Sequence, residues 1–120
     1  MTIAEVLAKF KRLKACQIDT QDLLAWLTNV DQTVVIEILQ PRSTSVIEMP
    51  VYAEANNTQL LIPSPYADAY IYYLAAMVDF WTIDMSGYNN SLYAYNTMLS
   101  NYRDYYNRTF KTIGSQSIRT

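Results

Sequence analysis

The residues of this chain that could do chemistry are few, and the most suggestive are two carboxylates, Asp79 and Asp84. Paired carboxylates can share general acid and base roles when they face one site. On an ideal helix the spacing of these two places them about 140° apart around the axis. We therefore do not expect the two carboxylates to converge.

Other reactive groups are scarce. Histidine is absent, which removes the commonest general base and a common metal ligand. Cys16 is the single cysteine and has no second thiol with which to form an internal disulfide or a zinc site, and a free thiol fits a reducing cytoplasm. The chain also has no glycine-rich phosphate loop, serine-nucleophile motif or zinc-protease motif. We expect no enzymatic activity, no cofactor and no metal.

Eleven tyrosines raise the question of base stacking on single-stranded nucleic acid. Such sites interleave aromatic side chains with basic residues that follow the phosphate backbone. Here no Lys or Arg occurs between Arg42 and Arg103, and the net charge at pH 7 is −2. The sequence therefore disfavours a nucleic-acid-binding protein.

The apolar run from Tyr66 to Trp81 could suggest a membrane span. A spanning helix needs about 20 predominantly apolar residues, and basic residues commonly flank it. This run contains Asp68 and Asp79 and has no flanking cations. The first residues, MTIAEVLAKFKRLK, carry scattered charges and no apolar core, so we predict neither a signal peptide nor a membrane span.

Two helices are predicted in the N-terminal part. Thr2 and Glu5 form a capping-box pattern that opens a first helix ending near Lys14. Asp19 opens a second helix that Pro41 must end. Asp31 lies within the apolar stripe of this second helix. Either it bonds to a buried hydroxyl or the helix breaks there, and the break is the preferred interpretation.

The helical period is absent from residues 42–63, where SVIEMPVY and QLLIP predict a short β-hairpin or an extended loop. Ser64 and Pro65 are typical of a helix start, so a third helix is predicted from there to about Met85. Ser86 and Gly87 would form a turn, followed by a fourth helix over about 89–108. Residues 111–120 show no helical pattern and are predicted to be a flexible tail.

The third and fourth helices carry matching apolar seams. A spacing of three and four residues is typical of packed helix pairs, and a short connection favours an αα-hairpin. The sequence thus predicts a mainly α protein, a small helical bundle forming a single domain over residues 1–110. The seam positions are Tyr66, Tyr70, Tyr73, Met77 and Phe80 on the third helix and Tyr88, Leu92, Tyr95, Leu99, Tyr102 and Tyr106 on the fourth.

The third helix also carries apolar residues outside its seam. A helix that is apolar on most sides must be covered on most sides. We therefore predict a subunit interface on its surplus face, extended by Tyr93, which lies about 160° from Tyr95 on the fourth helix. The predicted surplus residues are Ile71, Leu74, Val78, Trp81 and Met85.

Several segments together resemble a known family. Residues 60–81, LLIPSPYADAYIYYLAAMVDFW, begin with an L-x-x-P-x-P-Y pattern, and residues 88–110, YNNSLYAYNTMLSNYRDYYNRTF, contain Y-N-N and Y-Y-N-R-T elements. EVLAKFKRLK near the start and AWLTNVD in the second helix extend the likeness. The chain resembles the head–tail connector proteins, also called adaptor or head-completion proteins, of tailed bacteriophages and prophages.

This resemblance implies a structural virion protein that is made in the bacterial cytoplasm. It implies a ring, commonly about twelve-membered, that sits on the portal protein and offers an attachment surface to a neck or tail-completion protein. DNA would pass through the lumen only as cargo. The hypothesis is that the hairpin of helices three and four builds the ring. The loop, with Tyr52, or the C-terminal end of the chain, with Phe110 at the end of the domain and Ile113 in the tail, would reach the portal or neck.

Two other functions stay open at this point. The chain could be a small helical regulatory module of phage origin that binds one host protein through the same apolar face. It could also be a tail-completion protein, which would differ from an adaptor only in the ring that it contacts.

Overall fold

The computed structural model describes residues 1–14 and 18–118, and it describes side chains up to residue 109. Its architecture is mainly α, as predicted, and no strand occurs within these ranges. The four α-helices are α1 (Ile3–Leu13), α2 (Thr20–Val34), α3 (Asp68–Trp81) and α4 (Met85–Ile118). Phe110 and Ile113 lie on the backbone of α4, but their side chains are outside the described part.

The capping box at the start of α1 is confirmed. The Thr2 hydroxyl accepts the Glu5 N–H at 3.2 Å, and the Glu5 carboxylate accepts the Thr2 N–H at 3.2 Å. These two bonds satisfy backbone donors that a helix start leaves without partners. One face of α1 is buried, through Ile3, Val6, Leu7 and Phe10.

The break predicted at Asp31 is wrong, since α2 runs through this residue as one continuous helix. Beyond Val34 the helix widens into a π-helical turn, Val35–Leu39, and then tightens into a 3-10 turn, Gln40–Arg42. The Asp31 carboxylate does not cap a helix, because it accepts a hydrogen bond from the buried Tyr70 hydroxyl. The other interpretation of Asp31, a bond to a buried hydroxyl, is therefore confirmed.

Residues 43–63 form an extended loop, and the β-hairpin alternative is wrong. Within the described chain the only bridge is an isolated antiparallel one between Thr2 and Gln59. The Ile3 N–H donates to the Thr58 carbonyl at 3.0 Å, and the Leu60 N–H donates to the Met1 carbonyl at 3.0 Å. The loop backbone thus pairs with the start of α1 rather than with a second strand of its own.

Both ends of α3 differ from the prediction. The helix begins at Asp68 and not at Pro65, because residues 64–67 form tight turns. In these turns the Tyr66 N–H donates to the Pro63 carbonyl at 2.9 Å, three residues back. At its other end α3 stops at Trp81, four residues before the predicted end at Met85.

The turn between α3 and α4 comprises residues 82–84 rather than Ser86 and Gly87. Ile83 adopts the left-handed conformation with φ of 60°, which is costly for a β-branched residue and reverses the chain sharply. The Asp84 carboxylate then accepts the Gly87 N–H at 3.0 Å, a helix-capping bond. With this cap, α4 begins at Met85, and Ser86 and Gly87 belong to its first turn.

The predicted αα-hairpin is confirmed by the ring contacts between α4 and the chain leading into and along α3. Ring centroids lie 5.8 Å apart for Tyr66 and Tyr102, and 4.9 Å apart for Tyr73 and Tyr95. The pair nearest the turn is Phe80 and Tyr88, whose ring centroids lie 5.5 Å apart. The α4 backbone continues to Ile118, ten residues beyond the predicted end at Arg108. The flexibility of residues 111–120 stays a prediction.

None of the described helices combines the length and the apolar character that crossing a membrane requires.

Candidate partner-binding surfaces

Helix α3 is covered on three sides by its own chain, and three of the six residues predicted for the interface are buried. Ile71, Leu74 and Val78 are buried in the core and are not available to a partner. The cover comes from α1 and α2 as well as from α4. Two ion pairs join α1 to α3, one between Lys9 and Asp68 at 2.8 Å and one between Lys14 and Asp79.

The two carboxylates Asp79 and Asp84 do approach each other, contrary to the sequence argument. A Cβ at Gly87 would lie 2.7 Å from Oδ2 of Asp79 and 2.8 Å from Oδ2 of Asp84. The angle of about 140° between them assumed one continuous helix. In the structure α3 ends at Trp81 and Asp84 belongs to the turn, so that angle does not apply. Lys14 neutralises the buried Asp79, and Asp84 caps α4. Both carboxylates therefore have a structural use.

A buried carboxylate, Asp31, ties the loop to the helices. The Tyr70 hydroxyl donates to Oδ1 of Asp31 at 2.5 Å, and the Tyr52 hydroxyl donates to Oδ2. The Leu61 N–H also donates to Oδ2, at 3.2 Å. The Tyr70 hydroxyl in turn accepts the Ile62 N–H at 2.7 Å. We call Asp31, Tyr52, Tyr70 and the two backbone donors the Asp31 network.

The electrostatics of this network are set by burial. Removal from water raises the pKa of Asp31, while its three hydrogen bonds act in the opposite direction. Burial and the neighbouring Asp31 also raise the pKa of Tyr52 and Tyr70. Tyr52, predicted as a partner contact, thus uses its hydroxyl within the chain, although its ring remains partly exposed.

The buried polar side chains of this region all have hydrogen-bond partners. Among the described residues that are not exposed, no buried side-chain nitrogen or oxygen lacks a hydrogen bond. No group of three or more potential metal ligands occurs in the described ranges either. The polar groups of the interior are engaged in holding the fold together.

Exposed apolar side chains cluster instead at the α3–α4 turn. Trp81 is 68% exposed and Ile83 is 81% exposed. The rings of Phe80 and Trp81 meet edge to face with centroids 5.9 Å apart. We call this the hairpin-tip surface, and its members are Phe80, Trp81, Ile83 and Met85.

A groove adjoins the hairpin-tip surface. It has a volume of about 430 Å³ and is lined by Ile18, Asp22, Trp26 and Trp81. Two indole rings and one carboxylate therefore face the same open space beside the turn. Trp81 and Met85 belong to the interface predicted from the sequence. Phe80 was predicted in the seam with the fourth helix, and Ile83 was not predicted in either set. The sequence pattern placed Ile83 inside the third helix, so it gave no sign that this residue lies in an exposed turn.

A second exposed apolar region lies on the loop. Val51 is 73% exposed, and Val46 and Met49 are also exposed. The side chains of Met49 and Val51 border a groove of about 320 Å³ beside Ile3, which we call the loop groove. On α4, Tyr93 is 76% exposed, which confirms its predicted outward orientation.

No protein-family model matches the chain, and comparisons with curated proteins and with solved structures found no match either. The described residues combine a polar interior whose buried side-chain groups are all hydrogen-bonded with two exposed apolar surfaces.

Proposed function

We propose that the chain is a structural, non-enzymatic adaptor subunit of a tailed-phage head–tail connector. In this proposal its copies form a ring on the portal protein, and the ring offers an attachment surface to a neck or tail-completion protein. The protein then acts in the virion, takes no cofactor and meets DNA only as cargo that passes through the lumen.

The observation that supports this proposal most is the hairpin-tip surface. Exposed aromatic and aliphatic side chains that adjoin one another are typical of protein-binding sites, and tryptophan is enriched among the residues that dominate binding energy. Phe80, Trp81, Ile83 and Met85 contribute little to the core from this position. We assign the hairpin-tip surface to the contact with the portal or neck protein.

The charge of the chain fits the same proposal. Its net charge is −2, and its middle part from residue 43 to residue 102 contains no Lys or Arg. Negative charge on a ring lumen lets DNA slide, because it offers the phosphates no strong attachment. The resemblance of residues 60–110 to connector proteins supports the assignment from sequence.

Trp81→Ala tests the contact. Loss of a central tryptophan from a protein interface commonly costs at least about 2 kcal/mol, so portal binding should weaken about thirtyfold. The measurement is the affinity for the portal of the same phage. Ile36→Ala is the matched control, since Ile36 is an exposed aliphatic residue on the π-helical turn, outside the hairpin-tip surface. Equal affinities of the two variants would contradict the assignment.

The same surface also fits a second candidate, a phage-encoded regulatory module that binds one host protein. The hairpin-tip surface suits a one-to-one complex as well as it suits a ring. Binding to a host protein without binding to the portal would favour the regulator. Binding to a tail-tube or tail-terminator component in place of the portal would favour a tail-completion protein.

A further inference from the structure

The groove beside the hairpin-tip surface brings together both tryptophans of the chain. Asp22 and Trp26 are four residues apart on α2, so they lie about 40° apart around its axis and share one face. Trp81 is the last residue of α3 and borders the same space. We call this space, lined by Ile18, Asp22, Trp26 and Trp81, the indole groove.

The side chains of the indole groove are those that attract a cation. The face of an indole ring draws positive charge more strongly than any other aromatic side chain. Asp22 adds a full negative charge, is exposed and forms no ion pair within the described residues. The two helices that supply the lining, α2 and α3, contain no Lys or Arg. The negative potential of the groove is therefore available to a cation from outside the chain.

The groove suits a guanidinium group in size and in chemistry. Its volume is about 430 Å³, and pockets that hold small ligands measure about 300–1,000 Å³. A guanidinium is planar, stacks on aromatic rings and can pair with a carboxylate through two parallel hydrogen bonds. The ammonium of lysine is more strongly hydrated and acts as a point charge. Two indoles and one carboxylate therefore match arginine better than lysine.

We propose that the indole groove binds an arginine side chain of the protein that docks on the hairpin-tip surface. Trp81 belongs to both sites, so an arginine held in the groove brings the residues beside it in the partner chain near the exposed Phe80, Ile83 and Met85. Arginine and tryptophan are both enriched among the residues that dominate binding energy at interfaces. The inference rests on the proposed adaptor function and names the chemistry of its partner, an arginine flanked by apolar residues on the portal or neck protein.

Tryptophan fluorescence measures binding at this site, because both tryptophans of the chain line the groove. The probe is the tripeptide Leu-Arg-Leu, acetylated and amidated at its ends. One control tripeptide carries citrulline in place of arginine, which keeps the shape of the side chain and removes its charge. A second carries lysine. Each is titrated into the unmodified chain at a constant ionic strength of about 0.1 M, where the Debye length is about 10 Å.

Cation–π attraction and an exposed ion pair should together make the arginine tripeptide bind at least about threefold tighter than the citrulline tripeptide. The lysine tripeptide should bind more weakly than the arginine tripeptide, because its ammonium is more strongly hydrated. These comparisons use the unmodified chain and do not depend on the folding of any variant.

Asp22→Asn removes the charge of the groove and keeps the shape of the side chain. Affinity for the arginine tripeptide should fall by about two- to fivefold. Glu54→Gln is the matched control, since it removes one exposed carboxylate charge from the loop, outside the indole groove, and should leave the affinity unchanged. Circular dichroism checks the fold of Asp22→Asn, because negative charge in the first turn of α2 also stabilises the helix.

The inference is supported if the arginine tripeptide binds most tightly and Asp22→Asn alone weakens it. It is overturned if arginine binds no better than citrulline or lysine, or if no tripeptide changes the fluorescence. Binding to the portal and neck proteins of the same phage is measured separately. Arginine preference without binding to either protein would leave the specificity of the groove standing and refute the adaptor function. Binding to one of them by a chain without arginine preference would refute the groove inference alone.

Discussion

The Asp31 network holds three parts of the chain together through one side chain. Its carboxylate accepts hydrogen bonds from Tyr70 on α3 and from Tyr52 and the Leu61 N–H on the loop. A buried carboxylate that lacked such donors would be strongly destabilising. The extended loop, which has no regular secondary structure, is therefore fixed in part by a residue of α2, in addition to its backbone hydrogen bonds with the start of α1.

Tyr70→Phe tests this network. The change removes a donor to Asp31 and leaves the buried Ile62 N–H without its acceptor. Since each unsatisfied buried group costs about 1–3 kcal/mol, we expect the free energy of unfolding in urea to fall by about 2–4 kcal/mol. Tyr72→Phe is the control, because Tyr72 is exposed on the same helix. Equal stabilities of the two variants would show that the network does not hold the loop.

The network also makes stability depend on pH. Burial raises the pKa of Asp31 above its ordinary value of 3.8. At a pH between 3.8 and the pKa of the folded state, the folded chain therefore keeps a proton that the unfolded chain has released. The stabilising contribution of this proton is complete below pH 3.8 and is lost as the pH rises through the folded pKa. Unfolding free energies of the unmodified chain and of Asp31→Asn, measured from pH 3.5 upward, check this.

The stability advantage of the unmodified chain over Asp31→Asn should shrink as the pH rises. The amide does not titrate, so the difference between the two curves isolates the contribution of Asp31. A difference that stays constant, or that grows with pH, would contradict a raised pKa at this position.

Gly87, just after the α3–α4 turn, has little free space beside its Cα. Gly87→Ala would place a Cβ within 3 Å of two carboxylates, Asp79 and Asp84, of which Asp79 is buried and bound to Lys14. Alanine gains about 1 kcal/mol in helix propensity, but overpacking costs about 1–3 kcal/mol. We expect a net loss of up to about 2 kcal/mol in the free energy of unfolding.

The neighbouring Ser86→Ala is the control for this change, since Ser86 is exposed in the same helical turn. It should leave stability within about 0.5 kcal/mol of the unmodified chain. A stabilised Gly87→Ala protein would mean that the two carboxylates can move apart at no cost.

Local spacing in the sequence predicts some features of the helices and not others. The capping box at Thr2 and the seam tyrosines follow from local spacing, and both are confirmed. The continuity of α2 at Asp31 depends on Tyr52 and Tyr70, which are distant in sequence, so local patterns favoured a break there. The loop failed to form a hairpin because the start of α1 takes its hydrogen bonds.

The candidate surfaces were predicted less well for a related reason. Residues on α3 were assigned to a surplus face because the pattern predicted only the pairing of α3 with α4. The docking of α1, fastened by Lys9 to Asp68 and by Lys14 to Asp79, buries Ile71 within the chain. Ion pairs between distant helices leave no periodic signal in a sequence. Trp81 and Tyr93 were predicted correctly as exposed residues.

At the scale of the whole molecule, the chain is elongated, with principal extents of 56 × 30 × 20 Å. Helix α4 alone has 34 residues, which corresponds to about 51 Å, and so accounts for the long axis. The hairpin-tip surface lies near the beginning of this helix, and the ring contacts with Tyr66 lie near its residues 102 and 105. An elongated shape with separate exposed apolar surfaces is compatible with the proposed adaptor role, in which a subunit joins two larger assemblies.

The most direct test of the adaptor proposal is the mass of the purified protein in solution, measured alone and then mixed with the portal of the same phage. Light scattering coupled to size-exclusion chromatography gives both values. We predict that the chain joins the portal in a fixed ring stoichiometry, about one copy for each portal subunit. A chain that elutes with an unchanged mass beside the portal would contradict the proposal and would favour a regulatory or tail-side role.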